Sequence, residues 1–282
     1  MIGQKIKDFL RDTRWGDWSL LCLYLSLVSG IIVGIHYDPA EPFYSTSAID
    51  ILVPYGSYFR SLHFYSSQFF FLSAILHYYA VFNKADSYYT KSYSALILTL
   101  PVALVLLFTG YVLRSDSTGF SAGVIAEHIL DSIPLVGPTL NNLLFSISEH
   151  GLNRVYLHHV FSFDLLFLIL AWDHLRRYKV FFSRHLVFLG SVLIFSLLVA
   201  APIDPEELGV FYITGPWFFL GLQELLRYLP PFLAGIVFPA ALIIALIFLR
   251  RQNRSFKPLL VGVFLWLGAY ALLSALALLA HR

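Results

Sequence analysis

Four of the ten histidines lie inside long apolar segments, as two pairs with nearly equal spacing. His63 and His77 stand at positions i and i+14 of one segment, and His159 and His174 at i and i+15 of another. In an α-helix the first step returns to within about 40° of the same face over a rise of about 21 Å, and the second to within about 60° over about 22 Å. Imidazole nitrogen is a common ligand of transition metals. The pattern therefore predicts two metal centres.

Two haems, each held by one histidine from each helix, explain both spacings together. If the helices run in the same direction, His63 is level with His159, and His77 with His174. His158 is an alternative to His159 as the ligand. Its i, i+16 step, however, places it about 160° from His174 around the helix axis. Ionisable side chains in membrane spans are costly and usually functional. Packing or interfacial histidines are the alternative interpretation, and one pair can bind a metal other than haem iron.

The composition is that of an integral membrane protein. The chain is 58% hydrophobic and 13% charged, with a mean hydropathy of +0.73, whereas soluble domains carry about 25% charged residues. The single cysteine, Cys22, excludes an intrachain disulfide, a cysteine-held iron–sulfur cluster and a C-x-x-C-H site for covalent haem. We therefore expect two non-covalent haem b groups.

Seven apolar runs approach the length needed to cross about 30 Å of hydrocarbon, so we predict an all-α integral membrane fold. The fifth run is the shortest. The runs are Ser19–Tyr37, Phe64–Phe82, Tyr93–Leu113, Val155–Leu175, Leu186–Ala201, Phe232–Leu249 and Leu259–Leu279.

The basic residues predict the orientation. With the N-terminus inside, 14 of the 19 Lys and Arg residues fall on that side, as positive-inside topology requires. The C-terminus is then outside, His63 and His159 are outer, and His77 and His174 are inner. The outer connections 114–153 and 203–231 are long and are predicted to carry short surface helices. We expect a multi-pass protein of a bacterial-type cytoplasmic membrane.

Small and cationic side chains near the histidines suit a haem pocket. Gly30, Gly34 and Gly110 permit close approach of a flat macrocycle. Arg60 precedes His63 by about one turn and Arg154 precedes His159 by about one and a half turns, and both are candidates for haem propionates. Interfacial snorkelling is the alternative role of both arginines.

Several short motifs accompany the histidines. They are Arg60-x-x-His63 followed by His77, Gly110-Tyr-Val-Leu113, Ile133-Pro-Leu-Val-Gly137, Leu152-Asn-Arg154 before His159, and Trp217-Phe-Phe with Leu226-Arg227. Together these motifs resemble the cytochrome b family of the quinol:cytochrome c and plastoquinol oxidoreductases. The i, i+15 step is like that of the chloroplast-type chain, and the last third resembles the segment after the family's P-E-W-Y motif.

The resemblance implies a four-helix dihaem domain over residues 1–181 and a three-helix C-terminal domain over 182–282. It implies the dihaem subunit of a quinone-linked respiratory complex, moving electrons across the membrane between quinol or quinone and a partner redox subunit. The expected partners are a Rieske protein, a c-type or multihaem cytochrome, or a dehydrogenase subunit, with quinone, lipid and a second copy in a homodimer. Nucleic acid is not expected.

Two departures concern the family's outer quinol pocket. Pro216 stands where the family has the Glu of P-E-W-Y, a proton acceptor, and Arg114–Ser117 replaces a P-W-G-Q-like run. Glu224 and Asp116 are weak candidates for a substitute carboxylate, with a structural or solvated role as the alternative. These departures favour a second hypothesis, a non-bifurcating conduit and anchor for an outer dehydrogenase or multihaem cytochrome. A haem-free transporter or scaffold is the third.

A basic cluster follows the inner histidine of the fourth span. Arg176 and Arg177, with Lys179, come directly after His174 in the sequence. They are candidates to hold propionates of the inner haem or to stabilise a quinone anion. The alternative is an ordinary positive-inside cluster.

Overall fold

A computed structural model describes residues 9–10, 12–147, 151–206 and 213–280. Every regular element within these ranges is helical, which confirms the predicted all-α class. The helices in chain order are α1 (Trp15–His36), α2 (Pro42–Leu52), α3 (Gly56–Val81), α4 (Thr90–Leu113), α5 (Ser117–Asp131), α6 (Gly137–Leu144), α7 (Leu152–Leu157), α8 (Phe163–Leu175), α9 (Leu186–Leu198), α10 (Leu220–Leu225), α11 (Phe238–Phe248) and α12 (Phe256–Ala280).

Short 3₁₀ and π segments interrupt or join these helices. Single π turns, His158–Ser162 and Leu233–Val237, run directly into α8 and α11 respectively. Segments of 3₁₀ helix lie at Phe82–Ser87, Phe182–Arg184 and Trp217–Phe219. The long connection after α4 carries two short helices, α5 and α6, as the sequence predicted.

Four segments of the described chain are both long and apolar enough to span a bilayer. They are α1, α4, the Leu152–Leu175 segment and Phe256–Leu279. Helix α3 has 26 residues and is about 39 Å long, but it is more polar because it carries Arg60 and two histidines. Leu186–Leu198 and Leu233–Phe248 are shorter apolar helices. The multi-pass membrane class is thus confirmed, while the number of seven spans stays a prediction.

The chain folds into two compact units. The first comprises residues 1–38, 44–107 and 167–202, in which α1 and α9 both pack against α3 around Cys22, Leu62 and Val192. The second comprises residues 39–43, 108–166 and 203–282, in which α10 and α11 pack against α12 and α5 packs against α6. The predicted boundary between residues 181 and 182 stays a prediction.

Candidate functional site

The spacing of the histidines on the fourth span depends on a π turn. The backbone N–H of Phe163 donates to the carbonyl of His158, an i, i+5 bond in place of the α-helical i, i+4 bond. A π turn accommodates one extra residue without changing the direction of the helix. Because this turn contains His159, it brings the i, i+15 step from His159 to His174 closer to the i, i+14 step that separates the two histidines of α3.

His77 and His174 face each other in the first unit. Their ring centroids are 6.0 Å apart and their planes are tilted by 52°. Metal–nitrogen bonds of about 2 Å, plus about 1 Å from each nitrogen to its ring centre, hold two imidazoles of one metal about 6 Å apart. The cavity between them is walled mainly by apolar side chains. Its lining includes Gly16, Phe70, Ala103, Phe167 and Tyr178.

The other two candidate ligands each have a hydrogen-bond partner at Nδ1. In the first unit, Nδ1 of His63 lies 2.9 Å from the carbonyl oxygen of Ser26 and 3.4 Å from its hydroxyl. In the second unit, Nδ1 of His159 lies 2.9 Å from Oγ1 of Thr109. Such partners fix the orientation of a ligating imidazole and leave Nε2 for the metal.

His174 and His158 differ in how their ring nitrogens are used. Nδ1 of His174 lies 3.4 Å from the hydroxyl of Tyr88, which leaves Nε2 for a ligand. In His158, by contrast, Nδ1 lies 3.0 Å from Oγ of Ser162 and Nε2 lies 3.0 Å from the carbonyl of Leu143. This geometry favours His159 over His158 as the ligand, as predicted from helical phase.

Two of the predicted glycines lie directly against histidine rings. A Cβ at Gly30 would lie 2.8 Å from Cε1 of His63, and one at Gly110 would lie 3.1 Å from Cε1 of His159. A side chain at either position would press on the ring. Gly34 lies near the end of α1, where its carbonyl accepts the amide of Tyr37, and its predicted contact with a haem stays a prediction.

Sequence reasoning missed a third glycine of this kind. A Cβ at Gly16 would lie 2.9 Å from both Cε1 and Nδ1 of His77. Gly16 and Gly30 stand at positions i and i+14 of α1, the same step as His63 and His77 on α3. That repeat in the sequence was the signal that could have identified it.

The two outer arginines have different surroundings. Arg60 is buried and forms a two-pronged pair with Asp50, at 2.6 and 2.5 Å, and it also donates to the carbonyls of Ala201 and Pro202. Most of its N–H groups thus have protein partners, so a propionate role for Arg60 has little support. Within the described part of the chain, Nη1 of Arg154 is buried and has no hydrogen-bond partner. A buried cationic nitrogen in this state suits an anionic ligand.

The basic cluster after His174 lies at the surface. Arg176 and Arg177 are exposed, and Arg176 pairs with Asp173 at 2.8 Å. An exposed pair of this kind contributes little stability. These arginines remain accessible to a ligand at the surface, and their predicted role stays a prediction.

Asp116 is a structural residue in the second unit. Its side chain is fully buried, and it caps α5 by accepting the amide of Gly119 at 2.8 Å. It also accepts from the backbone of Asp204 at 2.9 Å, from Arg114 at 2.8 Å and from Thr118 at 3.1 Å. Both oxygens are thus saturated by donors, which disfavours Asp116 as a proton acceptor.

Glu224 is also buried and also has partners. It is 2% exposed, accepts the hydroxyl of Tyr228 at 2.8 Å and lies 3.9 Å from Arg227. The hydrogen bond to Glu224 is the main cause that raises the pKa of the Tyr228 phenol. Glu224 therefore remains a candidate carboxylate, while Pro216 offers no ionisable group at all.

A buried carboxylate that the sequence analysis did not single out lies beside the His77–His174 pair. Asp17 is 2% exposed in the first turn of α1. Its oxygens accept from the hydroxyl of Tyr178 and from Nε2 of His185 at 2.7 Å, and Nε of Arg14 lies 3.1 Å away as an ion-pair partner. The ring of Tyr178 stacks on His174 with a centroid distance of 6.2 Å and an angle of 15°. Asp17, Arg14, Tyr178 and His185 are named the Asp17 cluster.

The fold and the site together define a class of protein. A multi-pass helical chain offers paired imidazoles, with glycines against the rings and partners at Nδ1, which is the arrangement of a membrane haem protein.

Comparisons with known proteins identify the family. The model of the family "Cytochrome b/b6/petB" matches residues 12–182, more than half of the chain. Cytochrome b of Eptatretus burgeri is 27% identical over 90% of this chain and 77% of its own, and cytochrome b6 of Heliomicrobium gestii is 29% identical over 58% and 81%. The chain therefore belongs to the cytochrome b family, whose members bind haem b in membrane electron transport.

A solved structure agrees with this fold. A chain of a hyperthermophilic respiratory Complex III superposes with a TM-score of 0.65 at 19% identity, over 94% of this chain and 83% of that one. This likeness extends beyond residue 182 into the last third of the chain.

Proposed function

We propose that this chain is the dihaem cytochrome b subunit of a quinone-linked respiratory complex, which moves electrons across the membrane between quinol or quinone and a partner redox subunit. His77 and His174 are the ligands of the inner haem, and His63 and His159 those of the outer haem. The N-terminus is on the inner, cytoplasmic side and the C-terminus on the outer side.

The observation that carries the proposal is the nearly equal spacing of the histidines on two helices. Helix α3 carries its pair at i and i+14, and the π turn brings the i, i+15 spacing of the fourth span closer to that step. Packing histidines do not require two such similar steps, of about 21 and 22 Å, whereas two metal centres at matched depths do. The match to a haem b family indicates haem iron as the metal.

The residues present fit haem at these positions. A haem supplies reversible one-electron chemistry at its iron when bound. The chain's own groups orient the imidazoles through Ser26, Thr109 and Tyr88, and glycines leave room for the rings of His63, His77 and His159. The buried Nη1 of Arg154, which has no hydrogen-bond partner in the described part of the chain, would suit an anionic substituent such as a propionate.

The quinone part of the proposal rests on the family and on the basic inner surface. Arg176 and Arg177 follow the inner ligand and are exposed, so they attract an anionic ligand at that side. Mixing the oxidised complex with quinol and recording the haem spectrum tests this role. Quinol should reduce haem in the wild type. Arg177→Gln should slow that reduction several-fold more than Arg251→Gln, a matched exposed arginine outside the basic cluster after His174.

The outer side favours a second candidate function. Pro216 carries no proton acceptor and Asp116 is saturated by donors, so the outer quinol chemistry of the family lacks its usual carboxylate here. A conduit for an outer dehydrogenase or multihaem cytochrome needs no such group. Purification of the intact complex discriminates the two: a Rieske protein as partner supports quinol oxidation, and a multihaem or dehydrogenase subunit supports the conduit.

A further inference from the structure

The Asp17 cluster presents a buried charge close to the proposed inner haem. A carboxylate in a membrane helix is costly and persists only with strong partners. Asp17 has two hydrogen-bond donors and a cationic ion-pair partner on its two oxygens, the arrangement expected for an ionised carboxylate. Its cationic partner Arg14 is 55% exposed, so solvent screens that arginine more than it screens Asp17, which is 2% exposed.

The cluster reaches both inner ligands. Gly16, the neighbour of Asp17, lies against the His77 ring, and Tyr178 stacks on the His174 ring. The hydroxyl of Tyr178 lies 3.3 Å from the position of a Cβ at Gly16, so the phenol and the glycine meet at one wall of the cavity. Burial and the bond to Asp17 raise the pKa of Tyr178 to about 12, so the phenol keeps its proton and donates a hydrogen bond to the carboxylate.

We propose that Asp17 is a positioning residue that holds Tyr178 against His174 and places a fixed negative charge which lowers the midpoint potential of the inner haem. This inference rests on the proposed function, because it requires a haem between His77 and His174. The sign follows from charge: oxidised iron carries one more positive charge than reduced iron, so a nearby carboxylate stabilises the oxidised form. The outer haem is about 21 Å further along the helices and is much less affected.

Potentiometric titration of the purified complex tests the proposal. Asp17→Asn keeps the shape of the side chain and removes its charge. We expect the ratio of reduced to oxidised inner haem at a fixed potential to rise about tenfold, which is about 59 mV for a one-electron couple. Asp17→Glu restores the charge and should stay close to the wild type.

Asp173→Asn is the matched control. Asp173 adjoins His174 in the chain, but its side chain is 59% exposed and pairs with Arg176 at the surface. Because solvent screens this charge, the ratio of reduced to oxidised inner haem at a fixed potential should change less than about twofold in this variant. An inner haem that is bound by the Asp17→Asn variant with the wild-type potential would overturn the proposal.

If Asp17→Asn fails to retain the inner haem, a second variant tests whether the charge of Asp17 lowers the inner midpoint potential. Tyr178→Phe keeps the carboxylate and the stacked ring but removes one donor that partly compensates the charge. The midpoint potential of the inner haem should then fall below that of the wild type, because the carboxylate is less compensated. An unchanged or raised potential in Tyr178→Phe contradicts the proposal. A wild-type complex without any inner haem would instead refute the proposed function.

Discussion

The amide of Phe163 donates to the carbonyl of His158, and this bond sets the register of the proposed ligands on the fourth span. Without the π turn, His159 and His174 would differ in helical phase by about 60°, against about 40° for His63 and His77. With it, the step from His159 to His174 comes closer to the step from His63 to His77. Isolated π turns are often found at functional sites, and here the turn contains His159 itself.

Substitution of one inner ligand should remove one haem only. His77→Leu and His174→Leu are each expected to lower the haem content by about half, because the other pair does not depend on them. His158→Leu is the control, since both of its ring nitrogens already have protein partners. The measurement is the haem-to-protein ratio of the purified complex. Loss of a haem in His158→Leu, with both retained in His77→Leu, would contradict the ligand assignment.

A side chain at Gly16 should weaken binding of the inner haem. A Cβ there would lie 2.9 Å from the His77 ring, so the ring must move, and overpacking of this kind costs about 1–3 kcal/mol. We expect Gly16→Ala to lose inner haem in detergent about tenfold more readily than the wild type. Gly190→Ala is the control, because nothing lies within 4 Å of its Cβ position. Equal haem retention in the two variants would show that the glycine is not required.

The hydroxyl of Thr109 should orient the outer ligand. It lies 2.9 Å from Nδ1 of His159, and loss of such a partner typically lowers metal affinity by about 10–100-fold. Thr109→Val keeps the volume and removes the hydroxyl, so the outer haem should dissociate faster in a haem-transfer assay while the inner haem does not. Ser191→Ala, which loses a bond only to its own helix, should behave as the wild type. Equal outer-haem dissociation in Thr109→Val and Ser191→Ala would count against the orienting role.

The ion pair of Arg114 and Asp116 should support stability more than chemistry. Asp116→Ala removes a helix cap and leaves a buried arginine without its main partner. We expect it to lower the free energy of unfolding by about 3–5 kcal/mol. Asp204→Asn is the control, because this side chain is 43% exposed and should cost less than about 1 kcal/mol. Thermal unfolding of the complex measures the loss of stability in both variants. A stable Asp116→Ala variant that no longer oxidises quinol would contradict the structural role.

Much of the architecture could be predicted from the sequence because membrane helices follow from apolar run lengths. The spans around Cys22 and Gly110, and the short helices after Leu113, lie where the sequence placed them. The N-terminal limit of the first span could not be predicted closely, because Asp17 and Trp15 are polar or interfacial in character. In the structure they are buried, and α1 begins at Trp15.

The site was less accessible to sequence reasoning where distant segments meet. Gly30 and Gly110 could be found because glycine in a helix is informative near a ligand. The contact of Asp17 with Tyr178 and His185 could not be found, since it joins α1 to a connection far along the chain, after the fourth span. The π turn at His158 likewise has no marker in residue type alone.

The central claim is that four histidines hold two haems, and the haem-to-chain ratio combined with a redox titration tests it most directly. Extraction of haem from the purified complex should give two non-covalent haem b groups for each copy of this chain. The titration should resolve two one-electron components, one of which disappears in His77→Leu and the other in His63→Leu. A single haem, or two haems that both survive these substitutions, would contradict the account.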